Sequence, residues 1–93
     1  MKLIVEDENF IHIKTISFNS LQEIEKFAPF LKDQNKLLNG TLLTLEDNIS
    51  CHELKNFKFA LSQIKVRLNQ IFTRSRETNI AAKYLKIETH FSF

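Results

Sequence analysis

Leu54, Phe57, Leu61, Ile64, Leu68 and Ile71 recur at alternating steps of three and four residues. On an α-helix that spacing gathers them into one apolar stripe. Phe59 and Val66, seven residues apart, fall on the opposite side of the same helix. A helix that is apolar on two sides needs two surfaces to pack against. The pattern predicts one long helix, from Cys51 to somewhere between Thr73 and Lys83. A helix from Cys51 to Thr78 would be about 42 Å long at 1.5 Å per residue. A chain of this size is about 32 Å across, so the helix either overhangs its body by roughly 10 Å or breaks near Thr73 to Ser75.

The rest of the chain reads as strands with a second helix. Lys2 to Glu6 is a short strand, Asp7-Glu8-Asn9 a polar break, and Phe10 to Phe18 a β-rich run, so a hairpin is expected. Its apolar residues alternate imperfectly, which predicts a bulge or burial on both faces. Ser20 and Glu23 have capping-box spacing and open a helix through Leu21, Ile24, Phe27, Ala28 and Leu31. Pro29 predicts a kink in it, and Gly40 a left-handed cap after Asn39. Thr41 to Leu45 is a strand. Ser50 and Glu53 repeat the capping box at the start of the long helix. In Tyr84 to Phe93, Leu85, Ile87, Thr89, Phe91 and Phe93 alternate with polar residues, the cleanest strand pattern of the chain. The order is β-β-α-β-α-β. It predicts a single α+β domain over residues 1–93, with a four-stranded, mostly antiparallel sheet and both helices, the first kinked at Pro29, on one face.

Little in the chain points to catalysis. With one Gly among 93 residues there is no phosphate-cradling loop and little of the close backbone approach that substrate pockets use. Asp7, Glu8, Glu46 and Asp47 sit in turns, where carboxylates are solvated rather than enclosed in a cleft that could set them up for acid–base work. Cys51 and His52 are adjacent, hence about 100° apart on a helix, and no second His or Cys has ligand spacing. A lone cysteine cannot form an internal disulfide. These features predict a non-enzyme without metal, cofactor or small-molecule substrate.

No apolar run approaches 18 residues, so no membrane span is expected, and the early acidic residues do not fit a signal peptide. A cytoplasmic protein follows, or one released into a host cytoplasm. Phe, Tyr, Met, Ile, Asn and Lys make up 39 residues and Gly, Ala, Arg and Pro nine, a bias that points to an AT-rich genome.

What remains is binding. Residues 1–50 hold five Lys against eight Asp and Glu, residues 51–93 eight Lys and Arg against three Glu. That asymmetry favours an acidic partner for the second half, or attraction between the two halves. The leading expectation is a small protein-interaction module: an adaptor, an assembly subunit or a steric inhibitor such as a phage or mobile-element accessory protein that blocks a host enzyme or defence complex. Phe59 and Val66 are its apolar anchors, with Lys65, Arg67 and Arg74 as a steering rim. The partner is another protein or a second copy of the chain. The competing arrangement covers Phe59 and Val66 with the Ser20–Asn39 helix. The second function is nucleic-acid binding through a basic helix face made by Lys55, Lys58, Lys65, Arg67, Arg74 and Arg76.

Overall fold

Lys2–Glu6 (β1) and His12–Ser17 (β2) pair antiparallel as the sequence predicts. The computed structural model describes residues 1–26 and 36–92. At the hairpin tip, Phe10 N–H donates to the Asp7 carbonyl at 3.0 Å, and Asp7 Oδ1 accepts from the N–H groups of Asn9 and Ile11. Phe10 closes the turn at φ 61°, a conformation glycine usually supplies. The anticipated bulge lies where the register shifts between Val5 and Glu6.

A 3-10 turn, Leu21–Glu23, follows. The expected capping box is replaced by a neighbouring bond: Glu23 Oε2 accepts the Asn19 N–H at 2.6 Å, one residue before the cap, and the Ser20 side chain makes no cap bond. The Pro29 kink, and the placement of Phe27, Ala28 and Leu31, lie outside the described residues. The chain is no longer helical at Leu38, because Leu38–Leu43 (β3) is already strand. Gly40 is therefore no helix cap. It sits within β3 without a positive φ, packed against Val66 and Leu3.

The largest correction concerns the long helix. Cys51–Gln63 (α1) spans 13 residues. It starts at the expected box, with Ser50 Oγ accepting the Glu53 N–H at 3.2 Å and donating to Glu53 Oε1 at 3.0 Å. It stops at Ile64, and Lys65 then turns at φ 60°. Val66–Thr73 (β4) is a strand, Arg76–Tyr84 (α2) a second helix and Glu88–Phe91 (β5) the last strand. Leu68 and Ile71 looked helical because β4 is bulged. Leu68 pairs with Gly40, but Gln70, not Asn69, pairs with Thr41. The extra residue turns the two-residue repeat of a strand into a step of three, so Val66, Leu68, Ile71 and Thr73 all face the core.

The described residues form five strands, not four, in the order β2-β1-β3-β4-β5. β1 is antiparallel to both β2 and β3, whereas β3, β4 and β5 run parallel. "Mostly antiparallel" is thus corrected to half and half. The parallel joins require crossovers, and α1 and α2 supply them. Leu54, Phe57 and Leu61 of α1 and Ala81 and Ala82 of α2 share one core with Leu3, Val5, Ile16, Leu38 and Leu42, so both helices cover the same side of the sheet. Thr78 ties the layers together: its buried Oγ1 accepts the Ile49 N–H at 2.8 Å and donates to the Asp47 carbonyl at 2.7 Å. The mixed α+β class holds.

Candidate protein-binding surfaces

Two surfaces flank the core. On the helix side, Leu54, Phe57 and Leu61 turn inward, and at 100° per residue Phe59 points almost directly away from them. It is 65% exposed among the described residues. Val66 is 1% exposed and lies in β4, in the core. The pairing of Phe59 with Val66 on one helix face therefore does not form: one anchor is at the surface and the other packs inside.

α2 adds what the sequence reading missed. Thr78, Ala81 and Ala82 face inward, and Ile80 and Tyr84, four residues apart, share its outer side. They are 63% and 78% exposed. The signal was present as an i, i+4 apolar pair, hidden because these residues were assigned to the tail of one long helix. Lys55, Lys58 and Lys83 are exposed on the same two helices. The outer helical layer thus carries three large apolar side chains amid lysines.

On the other side of the sheet, residues with outward side chains link the strands. His90 Nε2 lies 2.9 Å from Gln70 Oε1, and Gln70 Nε2 donates to Thr41 Oγ1 at 3.2 Å. Asn69 Nδ2 donates to Asn39 Oδ1 at 2.7 Å, and Asn39 Nδ2 to the Asp7 carbonyl at 3.0 Å. The Phe72 and His90 rings stack with centroids 4.3 Å apart. Arg67, between inward Val66 and Leu68, belongs to this side.

The expected basic helix face is dispersed accordingly. Lys55 and Lys58 are on α1, Lys65 in the turn after it, Arg67 across the sheet and Arg76 at the start of α2. Arg74 follows β4, 3.6 Å from Glu46 in an exposed ion pair. No single helix presents the six. The histidines are equally scattered: His12 meets Thr15, His52 meets Asn56 and His90 meets Gln70. Among the described residues no group of three His, Cys, Asp or Glu side chains could hold a metal ion, and no helix is long and apolar enough to cross a membrane.

Among the described residues, Glu23 has a perturbed acidity. The Asn19 N–H, chiefly, holds its carboxyl below the usual range against an opposing desolvation, with help from the Ser20 N–H and Lys26.

The class defined by these features is a small mixed α+β fold with exposed apolar side chains on its helical layer. The chain is similar to the probable septum site-determining protein MinC of Prochlorococcus marinus subsp. pastoris, at 30% identity over 91 residues. The match takes in 98% of this chain and 41% of that protein, so the chain spans about two fifths of its relative's length. No family model matches the sequence, and no solved structure matches it.

Proposed function

We propose that this chain is a non-catalytic protein-binding module that takes part in determining where a division septum forms. The observation that carries the reading is the similarity along nearly the whole chain to a septum site-determining protein. The outer helical layer supplies the means. Phe59, Ile80 and Tyr84 act as apolar anchors, and Lys55, Lys58 and Lys83 form a rim that favours an acidic partner surface. The mode of action is steric: the module occupies a surface that another protein needs. Arg67, Arg74 and Lys65 would contribute only long-range steering, since they lie away from this layer. The similar protein is bacterial, which supports a cellular role over a phage accessory one.

The test is expression of the full chain in a rod-shaped bacterium, scoring septum position and cell length. Wild type should displace or block septa. Phe59→Glu should lose that effect at equal abundance and with an unchanged circular dichroism spectrum. Leu61→Ala, a core truncation, should instead destabilise the fold by about 2–5 kcal/mol. Normal division with abundant folded wild type overturns the reading.

A further inference from the structure

α1 and α2 are consecutive crossovers within one parallel run, β3–β4–β5. Each returns against the direction of the strands it joins, so the two helices run parallel and side by side on one face of the sheet. Their inward stripes belong to the core, and their outward sides form one layer. That layer carries Phe59, Ile80 and Tyr84, each more than half exposed. On the same helices, and in the turns that end them, stand six exposed cations: Lys55, Lys58, Lys65, Arg76, Lys83 and Lys86. Among the described residues none of the six is ion-paired. Two exposed acids share the layer, Glu53 and Glu77, and both sit in first turns, where they complement helix N-termini. Toward the C-terminal ends of the helices the charged residues are all basic: Lys58, Lys65, Lys83 and Lys86 share that half with Phe59 and Tyr84.

We propose that this layer lies on an anionic phospholipid bilayer, with both helices in the plane of its surface. Phe59 and Ile80 enter the acyl boundary, and Tyr84 keeps its hydroxyl among the headgroups. The lysines reach the lipid phosphates, since a long apolar stem can follow the boundary while the ammonium stays in water. The three apolar side chains project outward from two parallel helices. A fluid acyl boundary accepts such projections one by one, whereas a protein must supply a pocket for each. Neither feature suffices alone. Unpaired lysines without apolar contacts hold a chain loosely above the surface, and salt screens them. Three apolar side chains without lysines bury too little area for stable attachment. The opposite side of the sheet, with Gln70, Phe72 and His90, stays in water. Neither helix is long and apolar enough to cross the bilayer, so the contact is peripheral. The inference goes beyond the septum role and does not rest on it.

The chain has no tryptophan, so a single introduced one reports its own surroundings. The full chain carrying Tyr84→Trp is mixed with vesicles of phosphatidylglycerol and phosphatidylcholine, or of phosphatidylcholine alone. Its emission should shift to the blue and resist an aqueous quencher on the anionic vesicles only. Phe72→Trp, on the other side of the sheet, should keep its emission and its quenching on both. In flotation with the anionic vesicles, Phe59→Ser combined with Ile80→Ser should weaken binding about tenfold or more. Replacing Lys55, Lys58 and Lys83 together by Gln should do the same. A wild-type chain that floats with no vesicle leaves the layer to an acidic protein and overturns the proposal. So does equal binding to uncharged vesicles, a Phe72→Trp signal that moves as far as that of Tyr84→Trp, or undiminished binding by the folded serine variant. If the serine variant unfolds, the two tryptophan chains decide. Septa displaced by a chain that binds no vesicle would overturn this inference and leave the septum reading standing.

Discussion

A Cβ placed on Gly40 would lie 3.0 Å from Cγ1 of Val66. It would also stand 3.3 Å from Leu3 Cδ1 and 3.4 Å from the Arg67 carbonyl oxygen. The one glycine of the chain is thus spent on closeness between parallel strands, not on a turn. Val66 is β-branched and buried, so it has little room to yield. Gly40→Ala should cost about 1–3 kcal/mol in urea denaturation, as overpacking does. Combining it with Val66→Ala should cost less than the two singles summed, which a double-mutant cycle would register.

Lys65 and Lys86 hold the positions where glycine would serve. Both have φ 60°, and each follows the cap residue of a helix. After α2, Lys86 N–H donates to the Lys83 carbonyl at 3.0 Å and Ile87 N–H to the Ala82 carbonyl at 2.9 Å, the bond pair of a Schellman motif. After α1, Lys65 N–H likewise donates to the Ser62 carbonyl at 3.2 Å. Relief of left-handed strain, less the extra entropy of an unfolded glycine, should make Lys65→Gly and Lys86→Gly stabilising by about 0.5–1 kcal/mol each. Thermal melts would read the gain, and loss of stability at either position would contradict the account.

Thr78 is the buried clasp between α2 and the loop that leads into α1. Thr78→Val keeps the shape but leaves the Ile49 N–H and the Asp47 carbonyl without their bonds. The expected loss is about 1–3 kcal/mol, the cost of stranding buried polar groups. Thr78→Ser, which retains the hydroxyl, should lose less in the same denaturation assay.

Glu23 gives the fold a pH dependence of known sign. Its carboxyl is held below the usual value, chiefly by the Asn19 N–H. The stability it contributes is fully present above the unfolded value of about 4.3 and fades as pH falls through the lower folded value. Glu23→Gln should therefore lower Tm by a constant amount at neutral and mildly acidic pH. The gap to wild type should shrink below about pH 4.3. A gap that widens with acid would refute the assignment.

What could be read in advance was whatever local chemistry decides. The β1–β2 hairpin, the Ser50–Glu53 box and the strand that holds Thr89 and Phe91 rest on nearby residues, and they form. The predicted strand from Tyr84 does not begin there: α2 holds Tyr84, Leu85 caps it, Lys86 turns at φ 60° and the strand starts at Glu88, while Phe93 lies outside the described residues. The β4 strand was illegible because its bulge imitates helical spacing, and because Lys65 stops α1 without the glycine that would announce a stop. That one error carried Val66 to the surface and hid β4, α2 and the Ile80–Tyr84 pair. Phe59 survived as an outward residue because α1 is helical where it sits.

The bulge in β4 also bears on how this chain can change length. Without Asn69, Val66 and Leu68 on one side of the gap, and Ile71 and Thr73 on the other, would still fall on alternate positions of a regular strand. A deletion there forfeits the link to Asn39 yet turns no core residue outward. Chains one residue shorter at this point can therefore keep the same architecture.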